Sequence, residues 1–190
     1  QGLKIIKLKK NLGLKTLIDI CNIETHPTPY HLGYVLGPRI NAGGRVGKCS
    51  HGANLLLNID SKKAFKLASE LDVFNKERQI LEKNLLNNVI KSIESLSDPV
   101  LILKGDNWHE GIIGIIASRI KEKYNKPAII ISISKNIGKA SARSITGFDI
   151  GSVIISAVQK GLLIKGGGHK MAAGFTIDLK KINELKNFVL

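Results

Sequence analysis

The sequence predicts an α/β domain with a mixed sheet, preceded by a long connecting helix and a short helical segment. Three patterns along the 190 residues support this prediction. After Pro99, short β-branched runs alternate with stretches of helical apolar spacing, which is typical of α/β domains. From Ser61 to about Leu96, apolar residues recur every three or four positions, as in an amphipathic helix. Residues 1–60 show helical spacing and loops but no run that alternates like a strand.

Residues 1–60 are predicted to be the tail of a preceding domain or a connector from one. Leu12–Ile20 has helical spacing, Pro27 and Pro29 interrupt the pattern, and Leu32–Leu36 resumes it before a glycine-rich segment. These hydrophobic residues have too few partners to form a closed core by themselves.

Residues 61–97 are predicted to form the connecting helix, with Ser61 as its N-cap and Pro99 just beyond its end. At about 35 residues, this helix exceeds the usual globular length of roughly 8–20 residues. A helix of this length commonly bridges two lobes. A coiled coil is the weaker alternative, because Lys, Asn and Glu interrupt the a/d repeat.

Residues 98–190 carry the predicted sheet domain. The predicted strands are Val100–Leu103, Ala128–Ile133, Gly138–Ser144 and Phe175–Ile177. The predicted helices are Gly111–Tyr124, Gly151–Lys160, a short helix at His169–Ala173, and a final helix from Leu179 with Asp178 as its N-cap. The three glycines before His169 are predicted to form a loop.

Charge and composition narrow the class of partner. The net charge is +14 and the pI is near 9.9, so the chain attracts polyanions over roughly 8–10 Å, and nucleic acid is the expected partner. The lysines are spread along the chain, and compositional drift in an AT-rich genome would give the same charge without such a partner. Aromatic residues make up 5% of the chain, which argues against a base-stacking platform of the OB or RRM kind.

Targeting and cysteine signals are sparse. No apolar run approaches the roughly 20 residues that span a bilayer, and the N-terminus does not resemble a signal peptide, so we expect a cytoplasmic protein without a membrane partner. Because position 1 is Gln, we expect either a piece of a longer protein or an unusual start. Cys21 and Cys49 lie far apart and form no CxxC pair, which favours buried thiols over a zinc site.

The segment Gly166–Gly174, with the sequence GGGHKMAAG, is predicted to bind an anion. Three glycines leave the backbone bare, so successive amides can approach a phosphate, and a helix beginning near His169 would add its positive end. The alternative is a tight glycine turn followed by a surface histidine.

Two further segments pair arginine with small residues, namely Gly37–Gly47 (GPRINAGGRVG) and Ala140–Ser144 (ASARS). Guanidinium is a planar fork that binds two phosphate oxygens at once, and hydroxyls or glycine amides complete the shell. The chain has 24 lysines and 5 arginines, so lysine is the default cation and arginine is expected where a fork is needed. Arg78 limits this argument, since it lies in a helical surface pattern, and Arg119 could face solvent or ligand. The three segments suggest one phosphate-rich ligand.

The loop Gly105–Gly111 (GDNWHEG) precedes an apolar helix, where ligands often bind in α/β folds. His109 and Glu110 are therefore candidates for an acid/base pair or for substrate binding. The alternative is a helix entry in which Glu110 favours the positive helix end and Trp108 packs against the sheet.

Two classes of site are excluded. Residues Ala42–Cys49 nearly match a Walker A loop, but the first glycine and the hydroxyl that contacts magnesium are replaced. The 7 Asp and 8 Glu are scattered without a DxD or Asp-His-His motif, whereas a two-metal site needs converging carboxylates. We predict neither a nucleoside triphosphatase nor a metal site within this chain.

Taken in order, the segments LGPRINAGGRVG, NKER, GDNWHEGIIGIIASRI, GKASARSITGF and GGGHKMAAGF resemble the RecJ family of single-strand-specific DNA exonucleases over nearly the whole chain. GGGH alone also occurs across the wider DHH phosphoesterase superfamily. The resemblance implies that residues 98–190 are the DHH-associated, substrate-binding domain and that residues 61–97 join it to a catalytic DHH domain N-terminal to this chain. That domain would bind Mn²⁺ or Mg²⁺ through Asp and His residues that this chain lacks.

The resemblance also implies roles for individual residues, to which the loop before the apolar helix adds His109. The candidate catalytic residue is His169, and the candidate substrate- or phosphate-binding residues are Arg39, Asn41, Arg45, His109, Ser141, Arg143, Ser144, Gly167 and Gly168. The expected function is the substrate-binding C-terminal part of a metal-dependent 5′–3′ exonuclease that acts on single-stranded DNA in repair and recombination, inactive by itself. The alternatives are a non-catalytic nucleic-acid-binding remnant and part of a DHH-type oligonucleotide or cyclic-dinucleotide phosphodiesterase.

Overall fold

A computed structural model describes residues 1–93 and 97–190 of the chain. The chain divides into two compact units, Gln1–Ile80 and Leu81–Leu190, called here the helical unit and the sheet unit. This division falls inside one long helix, within the segment 61–97 that was predicted to connect two parts of the protein.

The helical unit is built from short helices and the first part of a long one. They are α1 (Gly2–Lys7), α2 (Leu12–Ile20), a π-helix (His31–Leu36), α3 (Gly37–Val46), α4 (Ser50–Leu57) and α5 (Ser61–Lys91). The buried core consists of Leu17, Ile18, Leu36, Leu55, Ala64, Ala68 and Leu71. The last three belong to α5, so the partners that residues 1–60 were expected to lack come from the long helix.

The arginine- and glycine-rich segment forms helix α3, with Pro38 in its first turn, where a missing N–H costs nothing. A Cβ at Gly43 would lie 2.7 Å from the carbonyl oxygen of Lys48 and 3.3 Å from a methyl group of Leu71. Gly43 therefore allows close packing against α5. Amides inside a helix already donate to carbonyls one turn earlier, so the expectation that these glycine amides bind an anion is wrong.

Helix α5 begins at Ser61, and the residue that caps it is Asp60 instead of the predicted Ser61. The Asp60 carboxylate accepts hydrogen bonds from the backbone amides of Lys62 and Lys63, at 2.9 and 3.2 Å. Asp60 thus satisfies the orphan donors of the first turn in place of Ser61. The helix ends at Lys91, whereas the prediction extended to residue 97, and residues 94–96 of that prediction lie outside the described residues.

The sheet unit alternates strands and helices, as predicted. Its elements are β1 (Leu101–Asp106), α6 (Glu110–Tyr124), β2 (Ala128–Ser134), β3 (Ile137–Arg143), α7 (Ile150–Gln159), β4 (Lys165–His169), β5 (Ala172–Asp178), a 3₁₀ turn (Leu179–Lys181) and α8 (Ile182–Val189). The strand order is β1-β2-β3-β5-β4, with β1 and β2 parallel and the other neighbours antiparallel. The predicted mixed-sheet α/β class is confirmed.

Helices cover both faces of this sheet. Helix α6 packs against β2 and β3 and buries Ile112, Ile116 and Ile120. On the other face, α7 and α8 close a core with the inward side chains of the strands, including Ile154, Leu185, Ile131 and Phe175. Asp178 accepts a hydrogen bond from the Lys180 amide at 2.8 Å, so the predicted N-cap is present, although it precedes the 3₁₀ turn rather than α8. None of the helices within residues 1–93 and 97–190 has the length and apolar content needed to cross a membrane.

The region around the three glycines differs most from the prediction. Residues Lys165–His169 form strand β4, which pairs antiparallel with β5, and residues 172–178 are all strand. The predicted glycine loop and the predicted short helix at His169–Ala173 are therefore wrong. Backbone pairing with β5 determines the conformation here, because three glycines carry little intrinsic preference of their own.

Candidate functional site

The outer surface of β3, β5 and β4 forms a shallow shelf next to α6. Three rows of residues cross it in register: Lys139, Thr176 and Lys165; Ser141, Gly174 and Gly167; Arg143, Ala172 and His169. Residues directly opposite one another in antiparallel strands point to the same face, as do alternate residues along one strand. These nine residues are called the open shelf.

The composition of the open shelf suits a polyanion. Its first row has lysines at both ends, and its last row has Arg143 at one end and His169 at the other. Between them lie Gly174, Gly167 and Ala172, which leave the backbone almost bare. Arg143 and His169 are two strand spacings apart, or roughly 10 Å between Cα atoms. One phosphate group lying over the small residues can therefore be reached from both sides.

The glycines of β4 face opposite sides of the sheet and have different surroundings. A Cβ at Gly166 would lie 2.8 Å from Cβ of Phe175, and a Cβ at Gly168 would lie 2.5 Å from Cα of Ala173. A Cβ at Gly167 would meet nothing within 4 Å. The fold therefore requires glycine at 166 and 168 but not at 167, and Gly167 is the glycine of the motif that belongs to the open shelf.

Arg143 lies over Ser141 at the α6 side of the shelf. One guanidinium nitrogen donates to the Ser141 hydroxyl at 3.1 Å and to the Ala142 carbonyl at 2.8 Å. On α6, a Cβ at Gly114 would lie 3.2 Å from the Ser141 hydroxyl oxygen and 3.4 Å from the other terminal nitrogen of Arg143. Gly114 thus leaves the space that the guanidinium occupies.

His169 ends β4 with a defined ring orientation. Its Nδ1 accepts a hydrogen bond from the Met171 amide at 3.3 Å, so the proton of the neutral ring lies on Nε2. A Cβ at Gly151 would lie 2.8 Å from the His169 carbonyl carbon, which shows how closely the first turn of α7 approaches this strand. The exposed ring can therefore offer Nε2–H as a donor.

Asp149 caps α7 beside the β4–β5 turn. Its carboxylate accepts a hydrogen bond from the Ser152 amide at 3.0 Å. This hydrogen bond, helped by the nearby ammonium group of Lys170, holds the pKa of Asp149 below its ordinary value. The carboxylate is therefore ionised at neutral pH and offsets part of the positive charge next to His169.

Sequence reasoning missed two cations of the shelf, Lys139 and Lys165. Lys139 also pairs with Glu110 at the start of α6, with 2.8 Å between ammonium nitrogen and carboxylate oxygen. The sequence pattern did point to Lys139, because Lys139, Ser141 and Arg143 are alternate residues of one strand and so lie on one face of the sheet. Lys165 and His169 alternate in the same way, but that pattern has meaning only once the glycine segment is treated as a strand.

Three predicted site residues of the sheet unit lie outside the shelf, and the first is Gly168, which faces inward on β4. Ser144 is buried, and its hydroxyl donates to the Phe148 carbonyl at 2.6 Å, which closes the loop after β3. His109 is the N-cap of α6, and its Nδ1 accepts from the Gly111 amide at 3.2 Å. This geometry matches the helix-entry interpretation, as does the Trp108 ring, which occupies the space where Gly105 lacks a side chain.

The other three predicted residues lie on α3 in the helical unit. Arg39 is half-buried, with its Nε donating to Asp72 at 2.8 Å and a terminal nitrogen donating to the Val35 carbonyl at 2.8 Å. Partial burial opposes ionisation of Asp72, but hydrogen bonds from Lys76 and Arg39 outweigh it and hold the pKa of Asp72 below its ordinary value. Arg39 is thus part of an internal ion pair. Asn41 and Arg45 lie one helical turn apart, the first exposed and the second half-buried.

Metal ligands do not converge in the described part of the chain. Across the ranges that the structure describes, no three His, Cys, Asp or Glu side chains lie close enough together to hold a metal ion. The donor set on the open shelf is cationic, which suits phosphate oxygens and does not suit Mg²⁺ or Mn²⁺.

Comparison with known proteins matches both units. Residues 97–190 match the DHHA1 domain family. Over 98% of its length, the chain is 34% identical to the single-stranded-DNA-specific exonuclease RecJ of Bacillus subtilis, and over 93% it is 36% identical to that of Haemophilus influenzae. It spans 24% and 33% of those two proteins, respectively.

A solved structure is similar over the same extent. RecJ of Thermus thermophilus, crystallised in complex with Mg²⁺, superposes with a TM-score of 0.88 at 30% identity, covering 99% of this chain and 29% of that one. The same protein has also been crystallised with Mn²⁺. The similarity therefore extends from the first helix to the last.

Proposed function

Because the chain belongs to the RecJ family and spans 24–34% of the curated RecJ sequences that it matches, we propose that it is the part of a single-stranded-DNA-specific exonuclease that grips the substrate. In this proposal the chain holds the phosphate backbone while phosphodiester hydrolysis takes place, with 5′–3′ polarity. Action in DNA repair and recombination in the cytoplasm would follow from that role.

The observation that carries this proposal is the open shelf. Its basic side chains lie at the ends of the first and last rows. Its centre has little side-chain cover even where packing does not require glycine, since a Cβ at Gly167 would meet nothing within 4 Å. Strand β4 is also the last strand of the sheet, so alternate backbone amides on its outer edge are available to an anion. A phosphate can therefore receive hydrogen bonds from side chains and backbone together.

Five polar residues of the shelf have distinct chemical roles in the proposal. Arg143 presents a planar fork that grips two phosphate oxygens, and Ser141 orients this fork from below. His169 donates Nε2–H to a phosphate oxygen next to the bond that is cleaved, where added negative charge in the transition state is stabilised. Lys139 and Lys165 attract the adjoining phosphates of the strand.

The metal is a separate part of the proposal. The residues of the open shelf do not fit Mg²⁺ or Mn²⁺, so we propose that the ions are held by a part of the enzyme outside this chain, where they would activate the attacking water. The chain by itself is then expected to bind single-stranded DNA and not to hydrolyse it. Within this view, Asn41 and Arg45 remain proposed substrate contacts of the helical unit. Arg39 pairs with Asp72.

The first test is binding of a labelled single-stranded oligonucleotide to the chain at several salt concentrations. Phosphate contacts should make the logarithm of the binding constant fall linearly with the logarithm of salt concentration. The Arg143→Ala variant should bind more weakly with a shallower salt dependence. Equal binding by wild type and this variant at low salt would contradict the proposal.

The second test is a chimera in which this chain replaces the matching segment of the Bacillus subtilis exonuclease, to which it is 34% identical. Manganese-dependent degradation of single-stranded DNA by the chimera, lost in its Arg143→Ala form, would support the exonuclease role. A well-folded but inactive chimera, together with DNA binding by the chain alone, would favour the non-catalytic remnant. The alternative of a cyclic-dinucleotide phosphodiesterase is not favoured, because the curated relatives from Bacillus subtilis and Haemophilus influenzae, matched over 98% and 93% of the chain, are RecJ proteins.

A further inference from the structure

A small open cavity of about 400 Å³ lies at the end of the shelf. It is lined by the loop 145–149, which follows β3, and by the turn Lys170–Met171, which joins β4 to β5. Along the chain, Arg143 shortly precedes the loop that forms one wall, and His169 immediately precedes the turn that forms the other. Binding sites for small organic groups usually have volumes of about 300–1,000 Å³, and this cavity falls at the lower end of that range.

Hydrogen bonds fix both walls of the cavity. The Ser144 amide donates to the Met171 carbonyl at 2.9 Å, and the Ser144 hydroxyl donates to the Phe148 carbonyl at 2.6 Å. The Ile150 amide donates to the Lys170 carbonyl at 3.4 Å. The cavity is therefore formed before any ligand arrives, and little ordering entropy has to be lost on binding.

The chemistry of the lining differs from that of the open shelf. It includes the apolar residues Ile145, Phe148 and Met171, and Met171 is 44% exposed. The charged groups of the lining are one carboxylate, Asp149, and one ammonium, Lys170, whose charges cancel. The shelf thus suits phosphate, whereas the cavity suits an uncharged flat group with an apolar face.

We propose that this cavity holds the base of the nucleotide whose phosphate lies on the shelf between Arg143 and His169. The inference rests on the proposed function, and it adds a base-binding position to the phosphate contacts. A methionine side chain contacts aromatic rings of any identity through its polarisable sulfur, so the cavity accepts a base without selecting its sequence. Such tolerance is what a protein that binds single strands of any sequence requires.

The test compares two short ligands of equal charge, a thymidine trinucleotide and the corresponding trimer with abasic sugars at every position. Because all phosphates are retained, the ratio of the two dissociation constants measures the contribution of the bases. For the wild-type chain we expect the intact trimer to bind about two- to tenfold more tightly, the range of a sulfur–ring contact. For Met171→Ala the ratio should fall close to one, and for Met171→Leu, which keeps an apolar wall, it should stay above one.

The outcomes separate this inference from the proposed function. If neither trimer binds to the wild-type chain at low salt, both proposals are wrong. If both bind equally well, phosphate binding stands and the base-binding cavity is overturned. If Met171→Ala keeps the wild-type ratio while circular dichroism shows an intact fold, the base lies elsewhere and the cavity is again overturned.

Discussion

On strand β4, neighbouring glycines lie on opposite faces of the sheet. Gly166 and Gly168 face inward, where a Cβ would come within 3 Å of Phe175 and Ala173, respectively. Gly167 faces outward into open space. The inner face uses glycine to let strands and helices approach closely, whereas the outer face carries a glycine that packing does not require. A single motif of three glycines thus contains both a folding requirement and a candidate binding requirement.

The largest expected effect comes from the inner face. We expect Gly168→Ala to lower the free energy of unfolding by about 1–3 kcal/mol, because its Cβ would overlap the backbone of Ala172 and Ala173. Urea denaturation followed by circular dichroism measures this change. The matched control is Gly167→Ala, which should leave the free energy of unfolding unchanged or slightly higher, since it only removes freedom from the unfolded chain. Equal destabilisation by both variants would remove the distinction between the faces.

The next effect tests the outer face. We expect Arg143→Ala to weaken binding of single-stranded DNA by about 1–3 kcal/mol, or about 5- to 150-fold, by removing a charged fork from the phosphate. Fluorescence anisotropy at low salt measures the affinity. Arg119→Ala is the control, because Arg119 pairs with Glu82 and Glu122 and lies outside the shelf. A similar loss in both variants would mean that only overall charge matters.

A smaller effect is expected at the edge of the shelf. In Gly114→Ala the new methyl group would lie 3.2 Å from the Ser141 hydroxyl oxygen, so Ser141 and Arg143 must shift by a few tenths of an ångström. We expect the affinity for single-stranded DNA to fall several-fold, by about 1 kcal/mol, while the free energy of unfolding changes less than in Gly168→Ala. The double variant with Arg143→Ala should show no further loss of affinity, because the displaced group is already absent. An additive loss would show that Gly114 acts by another route.

The smallest effect concerns the helix that packs on the inner face. The pKa of Asp149 is lower in the folded protein than in the unfolded chain. The ionised carboxylate therefore stabilises the fold above the ordinary aspartate pKa of about 3.9, and this stabilisation is lost as the pH falls through the lower folded pKa. Asn caps helices as well as Asp but does not titrate. We expect Asp149→Asn to lose less stability than wild type between pH 5 and pH 2, as measured by thermal unfolding. An identical acid profile would mean that the Asp149 carboxylate does not contribute.

The alternation of strands and helices in residues 98–190 could be predicted from the sequence, because β-branched runs and apolar helical spacing are local signals. The start of α6 could be predicted to within one residue, since the predicted helix begins at Gly111 and the observed one at Glu110. The conformation of the glycine segment could not. Gly166–Gly168 adopts an extended conformation because β5 and α7 lie beside it, and neither contact can be inferred from three glycines in a row.

The arginines also show that local sequence does not reveal tertiary contacts. Arg39 and Arg143 occupy similar sequence contexts, each beside small residues, and both were predicted to bind phosphate. The structure pairs Arg39 with Asp72, a residue 33 positions away, and places Arg143 on the shelf. Local sequence therefore identified residues that carry a fork, but only the tertiary contact with Asp72 reveals that Arg39 belongs to an internal ion pair.

The position of β4 at the end of the sheet has a consequence for the behaviour of the protein in concentrated solution. An edge strand with free backbone groups is a template on which a second molecule can add a strand, and such pairing leads to aggregation. In β4 the glycines have low strand propensity, and Lys165 places a charge on the edge. The residues that leave the backbone accessible to a ligand therefore also discourage the sheet from growing into a second copy of itself.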